Sequence, residues 1–383
     1  MKNHSFSLSS TLIHFYPLAG NLSWPHEPNQ PTICYTEGDS VSFTVAESDV
    51  NFYHLASNNL KDATESCFPS DSITSVAIQV PSTPNSFLGN FSHSTYMLRI
   101  EVLAFASPFG PIVPTLAIQV TVFPNNGFCI AATHHHSVCD GRGFTHFMRT
   151  WASISKFGAE SLSLESLPFL DRTAIKENNG IKKIILDDLD RFMGSKFVSG
   201  NRILRVMDIE LKPNMDWVFA QYKKDEQTPK QSIPPSRLVA ICAYTWICLL
   251  KAKAKAKAGV AVAAQLIGDA IYEGRQAILR GLEHSVSRLL NIKFRHQLGA
   301  AGSPQFGIYK TDFGIGRLKK VEMASIDRTE AMFLKESSNE EGGIEFDLVL
   351  NKKEMNAFVS VFVDGLNALN EHSLSPSTPR SLL

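Results

Sequence analysis

The residues in this chain with the clearest chemistry are His134-His135-His136-Ser137-Val138-Cys139-Asp140-Gly141. An imidazole at the end of a strand can accept a proton near neutral pH. A carboxylate four residues on, Asp140, can hold the turn and orient the ring of His136 without itself reacting, and Gly141 lets the backbone turn sharply or come close to a ligand. Two blander readings compete. Three successive histidines can be polar filler at a strand end. His134 and His136 also share one strand face and could offer two metal ligands, but no third ligand stands at helpful spacing, so no metal is expected. A second constellation, Thr311-Asp312-Phe313-Gly314-Ile315-Gly316-Arg317, brackets an apolar residue between glycines. Alone it reads as an ordinary glycine-rich turn.

The elements that must position these residues are legible around them. Leu116 to Phe123 and Phe128 to His134 are strand-like runs joined by Pro124-Asn125-Asn126-Gly127, the pattern of a hairpin. Phe144, Phe147, Met148 and Trp151 then fall at helical spacing and give one buried helix face. The histidine cluster therefore sits between a strand and a helix. Upstream, Leu8, Leu12 and Phe15 mark a helix that breaks at Tyr16-Pro17, and Ile33 to Val45 suggests two strands around Glu37-Gly38-Asp39. Val76-Ala77-Ile78-Gln79-Val80 is nearly repeated as Leu116-Ala117-Ile118-Gln119-Val120, and the serine- and proline-rich stretch between the copies is hard to read.

Downstream, Ser236 caps a helix through Leu249 that runs into a Lys-Ala tract at 251–258. Val260 to Ile271 and Ile278 to Leu290 read as helices. Val321 to Met323, Ala331 to Phe333 and Ile344 to Leu350 read as strands, the last with Ile344, Phe346, Leu348 and Leu350 on one side. Met355, Phe358, Phe362, Leu366 and Leu369 make a closing amphipathic helix, followed by a frayed tail from Ser373. Alternating strands and helices place the chain in the mixed α/β class.

Composition narrows the partners. The 383 residues suggest two domains, and 37 basic against 37 acidic residues leave no field to gather nucleic acid or an anionic membrane. No apolar run is long enough to span a bilayer. The N-terminus lacks the continuous apolar core of a secretory signal, and the six cysteines show neither CxxC pairs nor zinc spacing, so a cytoplasmic protein with reduced thiols is expected.

Together, in this order and far apart, the two constellations resemble the HxxxD and DFGWG marks of the plant BAHD acyltransferases. Phe15-Tyr16-Pro17-Leu18-Ala19-Gly20, Leu167-Pro168-Phe169-Leu170-Asp171-Arg172, Cys242-Ala243-Tyr244-Thr245-Trp246 and Phe362-Val363-Asp364-Gly365 extend the likeness over most of the chain. The stretch at 167–172 is most similar to the branch that transfers malonyl or hydroxycinnamoyl groups to anthocyanin and phenolic glucosides. The resemblance implies a two-domain fold similar to chloramphenicol acetyltransferase, with mixed sheets flanked by helices. It divides the chain into residues 1–196 with HxxxD and 203–383 with the DFGWG-like loop.

The activity implied is acyl transfer from acyl-CoA, malonyl-CoA or hydroxycinnamoyl-CoA as co-substrate, to a hydroxyl of a phenolic or flavonoid glycoside, by a monomer. His136 would be the general base and Asp140 its structural support. Asp312, Phe313, Gly314 and Gly316 would form a structural loop away from the reacting atoms. Arg172 would pair with a carboxylate on the acyl donor, or else serve in a structural ion pair. Condensation domains of peptide synthetases share HHxxxDG, here His135 to Gly141, but lack the DFGWG-like segment.

Four departures bear on activity. The strand that usually precedes the first helix is missing, and Ile315 replaces tryptophan in DFGWG. The V-D-x-R strand and YFGNC segment expected near 251–258 are absent. An irregular insert occupies about 81–115. The arginine of the missing strand normally holds the HxxxD aspartate, so Asp140 is expected to be a buried carboxylate without its partner. A competing reading is that the chain is an incomplete, catalytically impaired remnant of such an enzyme; the missing central strand favours it, since a sheet deprived of an interior strand must re-pair or expose an edge.

Overall fold

The strongest local signal folds as its pattern predicts. In the computed structural model β8 (Leu116–Phe123) and β9 (Gly127–His135) pair antiparallel, from Leu116 opposite His134 to Phe123 opposite Gly127. Asn125 closes the turn with a φ of 62°, in the left-handed region that asparagine tolerates better than most residues. The structure describes residues 2–23, 31–58, 61–62, 72–79, 94–103, 112–174, 180, 182–187, 204–211, 236–253, 259–276, 298–324, 326 and 331–373. The helix expected at 278–290, the junction at 188–203, residues 254–258 of the Lys-Ala tract and the tail at 374–383 lie outside them.

The hairpin is the middle of a six-stranded sheet. β3 (Ser40–Glu47) runs parallel to β8, and β5 (Ser72–Gln79) runs antiparallel to β3 at the sheet edge. On the other side β6 (Ser94–Leu103) runs parallel to β9, and β12 (Gly316–Met323) runs parallel to β6. Within the segment read as an irregular insert, residues 94–103 are therefore an interior strand. The apolar run from Tyr96 suits that place, because strands paired in parallel on both sides are covered on both faces; Met97 is fully buried.

Two smaller sheets complete the topology. β1 (Asn21–Ser23) lies between β2 (Thr32–Cys34) and β7 (Val113–Pro114). The strands on either side of Glu37-Gly38-Asp39 thus enter different sheets. The third sheet has the order β11 (Ala300–Gly302), β13 (Met332–Glu336), β14 (Ile344–Asn351), β10 (Leu204–Leu211) and β4 (Lys61–Asp62).

Helices cover these sheets on the faces the spacing predicts. α1 (Lys2–His14) supplies Leu8 and Leu12, and α3 (Gly141–Phe157) supplies Phe144, Phe147, Met148 and Trp151, to a core with Phe128, Ile130 and Ala132 of β9. A one-turn helix, α2 (Phe52–Leu55), buries Phe52 and Leu55 beside Phe123. Phe313, Leu318 and Val321, from far along the chain, join the first core. A second core gathers Ile344, Phe346, Leu348 and Leu350 of β14. Against them pack Ile241 and Tyr244 of α4 (Arg237–Ala252) and Met355, Phe358 and Phe362 of α6 (Lys352–Ser373). Ser236 caps α4 through the amide of Val239, and α5 (Val260–Gln276) packs Ala263 and Ala264 on its Val239, Ala243 and Ile247.

The opposite face of β14 is buried too, although it carries charge. Lys335 of β13 forms an ion pair with Asp347 at 2.7 Å and donates to the carbonyl of Val321 on β12 at 2.9 Å. Tyr309 donates its hydroxyl to Glu345 at 2.9 Å. Buried charges persist only when paired and hydrogen-bonded. Here the pairing links the five-stranded sheet to an edge strand of the six-stranded one.

Candidate active site at the strand-to-helix turn

β9 ends at His135 and α3 begins at Gly141, so the five residues between them form one tight turn. Its backbone is fixed at both ends. The amide of His135 donates to the carbonyl of Thr115, and that of Val138 to the carbonyl of His135. The Thr115 hydroxyl in turn sits 2.9–3.0 Å from the carbonyls of Pro17, Leu18 and Gly20. One threonine thus ties the Pro-Leu-Ala-Gly turn after α1 to the root of the histidine cluster. Nothing in the composition of that stretch marks Thr115 for this task.

Asp140 is the N-cap of α3, its carboxylate accepting from the amide of Gly143 at 2.8 Å. It is exposed. This corrects the expectation of a buried carboxylate without a partner. A cap needs only the free amides and the positive end of the helix, both of which favour the anion without taking it out of water. Gly141 lies under a ring from the other half of the chain, and a Cβ there would come 2.9 Å from Cε2 of Phe306. A side chain at this position would have to push the Phe306 ring aside.

Burial sorts the three histidines. His134 points into the core and stacks on Phe144, with ring centroids 4.2 Å apart and planes within 5°; among the described residues neither ring nitrogen has a hydrogen-bond partner. Burial, reinforced by the neighbouring His136 and His135, pushes its pKa down to about 4. The Nδ1 of His135 accepts from the amide of Ser137 at 3.2 Å and lies 2.7 Å from its hydroxyl. Burial, and then the neighbouring His136, lower its pKa as well. His136 is exposed on the turn. Two imidazoles are therefore held neutral inside, and the third faces solvent. The Cys139 thiol, pushed up to about 12 chiefly by burial, stays protonated.

The buried imidazole has a consequence for stability. His134 titrates at its usual 6.5 when unfolded and at about 4 when folded. Between these values the unfolded chain binds more protons, so stability present above pH 6.5 is lost as pH falls toward 4, by up to about 3 kcal/mol. Urea midpoints measured across this range should fall steeply for the native chain and more shallowly for His134→Phe, which cannot titrate. Parallel curves for the two proteins would mean that His134 is not the buried neutral group.

Arg172 begins a short 3-10 turn (Arg172–Ala174), and its Nη2 donates to the carbonyl of Val138 at 3.2 Å. Arg172 thus reaches the turn that carries His136 and Asp140, by way of its middle carbonyl. The second constellation does not join them. Asp312 forms an ion pair with Lys156 at 2.5 Å and accepts from the amide of Gly314 at 2.8 Å; the hydrogen bond from Lys156 holds its carboxyl below the usual range. Phe313 is buried edge-on to Trp151, with ring centroids 4.9 Å apart. Ile315, where an indole was expected, packs partly buried against the same core. Gly314 takes a φ of 74°, with the Lys156 side chain 3.0 Å from where its Cβ would be.

Lys156 and Asp140 stand at opposite ends of α3, which at 1.5 Å per residue separates them by about 24 Å. The glycine-rich loop therefore grips the far end of the helix whose near end forms the histidine turn. Among the described residues no group of three or more His, Cys, Asp or Glu side chains could hold a metal ion. Nor is any described helix long and apolar enough to cross a membrane.

A model of the Transferase family matches residues 3–82 and 103–270. The chain is 27% identical to phenolic glucoside malonyltransferase 1 of Arabidopsis thaliana, covering 95% of this chain and 85% of that protein. It is 31% identical to malonyl-coenzyme:anthocyanin 5-O-glucoside-6'''-O-malonyltransferase of Salvia splendens, covering 93% and 82%. In fold it is similar to vinorine synthase, with a TM-score of 0.54 at 16% identity over 93% of this chain and 83% of that one. An F. sporotrichioides protein crystallised with coenzyme A and T-2 has a TM-score of 0.55 at 12% identity, over 92% and 87%.

Proposed function

Because the chain belongs to the BAHD acyltransferases, the transferase family whose model spans most of its length, we propose that it moves a malonyl or hydroxycinnamoyl group from coenzyme A to a hydroxyl of a phenolic or anthocyanin glucoside. It is an acyltransferase with acyl-CoA as co-substrate. The finer assignment draws on relatives named for malonyl transfer to phenolic and anthocyanin glucosides and for coumaroyl transfer to anthocyanidin glucosides.

The observation that carries the mechanism is the exposed His136 between two buried, neutral imidazoles and a capped helix start. In this reading His136 takes the proton from the acceptor hydroxyl as its oxygen attacks the thioester carbonyl. The new C–O bond forms, the C–S bond breaks, and the imidazolium returns its proton to the departing thiolate, so that an ester and free coenzyme A leave. Base catalysis of this kind contributes about 10²–10⁴ in rate. Asp140 keeps the turn in place through the helix start and stays off the reacting atoms.

Incubating the purified protein with malonyl-CoA or coumaroyl-CoA and a phenolic glucoside should yield a glucoside ester by mass spectrometry and an equal amount of free thiol. Failure with both donors across a panel of phenolic and anthocyanin glucosides would overturn the assignment.

A further inference from the structure

Most hydrogen bonds of the histidine turn are local. The amides of Val138 and Ser137 reach back to His135, and that of Gly143 reaches Asp140. These bonds fix the two ends but leave the carbonyl of Val138, midway between His136 and Asp140, to be met from elsewhere. Arg172 meets it from 34 residues further along the chain. Its neighbour Asp171 is engaged with its own Thr173, accepting from the amide at 2.9 Å and the hydroxyl at 2.6 Å. A second sign of closeness is electrostatic: the guanidinium draws the Cys139 thiol downward against the stronger effect of burial.

We propose that Arg172 is a positioning residue, which pins the Val138 carbonyl so that the exposed His136 keeps one orientation toward the acceptor hydroxyl. The role rests on the acyltransferase reading given above. A guanidinium suits it, being permanently charged, planar and rich in donors. A brace of the turn acts on the base itself, so its loss slows every donor alike. Recognition of a malonyl carboxylate would instead be specific to that donor.

Two measurements test this. In steady-state kinetics with malonyl-CoA and with an uncharged aromatic acyl-CoA, Arg172→Ala should lower kcat about tenfold or more for each donor, with KM for either changed less than about twofold. Arg172→Lys, which keeps a cationic N–H donor group without the planar fork, should recover part of the rate. Without substrate, amide hydrogen exchange at residues 137–143 should be faster in Arg172→Ala, with the rest of the chain unchanged. Because Arg172 is exposed, both variants are expected to fold, and the unchanged exchange elsewhere reports it. A loss confined to malonyl-CoA and expressed as a raised KM, or unaltered exchange in the turn, would overturn the proposal. If the native protein transfers neither group, the function reading fails, while the exchange result still decides whether Arg172 holds the turn.

Discussion

His136→Ala is expected to lower kcat for acyl transfer by about 10²–10⁴ while leaving the thermal midpoint within about a degree or two. The separation follows from the turn's construction. Its backbone is held by Val138, Ser137, His135 and Asp140, and the His136 ring lies exposed outside that scaffold. Removing it takes away the proton acceptor without opening the core. The same change at His134 would remove a ring stacked on Phe144 and should cost stability first. Steady-state rates paired with calorimetry on the two variants check the distinction. Full activity in His136→Ala would mean that another group takes the proton.

Phe313→Ala is expected to cost about 3–5 kcal/mol of folding stability with little change in kcat well below the melting transition. The ring is 2% exposed and sits edge-on to Trp151, whose indole N–H donates to Ser7 of α1 at 3.1 Å. Truncation would leave a cavity where three distant stretches of chain meet. The loop that carries Phe313 holds the far end of α3, about 24 Å from Asp140, so it supports the site from a distance. Denaturant titration gives the stability term and initial rates at low temperature give kcat. A rate that falls with stability unchanged would place this loop at the reacting atoms.

What could be read from the sequence depended on whether local and tertiary demands agreed. The β8–β9 hairpin, the buried stripe of α3 and the one-sided set Ile344, Phe346, Leu348 and Leu350 all appear as their spacing predicts. In each, apolar periodicity and a turn or cap signal point the same way. The other face of β14 was not legible. Glu345 and Asp347 alternate with the apolar set as solvent-facing residues do, yet both are 1% exposed. Their partners, Lys335 and Tyr309, come from other elements, and no local pattern announces such pairing.

The site was readable in part for the same reason. His136 and Asp140 lie in one short motif, whereas the contacts of Thr115 with Pro17 and Leu18, of Arg172 with Val138 and of Phe306 with Gly141 join distant segments. The expectation for Asp140 failed because it assumed that losing a customary arginine must leave a bare charge. At the first turn of a helix, free backbone amides serve instead.

The near-repeated pentapeptides flank a single strand. Ser42 of β3 faces Ala117 of β8 on one side and Ala77 of β5 on the other. The two neighbours run in opposite directions, so orientation, more than side-chain pattern, tells β3 which is which. β8 arrives already joined to β9 by a short turn, a closure that costs little entropy, and β5 is left to seal the open edge. Such an edge carries a spare copy of an interior strand. One pattern therefore serves in two settings: bonded on both sides as β8, and, among the described residues, bonded on one side only as β5, where the amides and carbonyls of the outer side have no neighbouring strand.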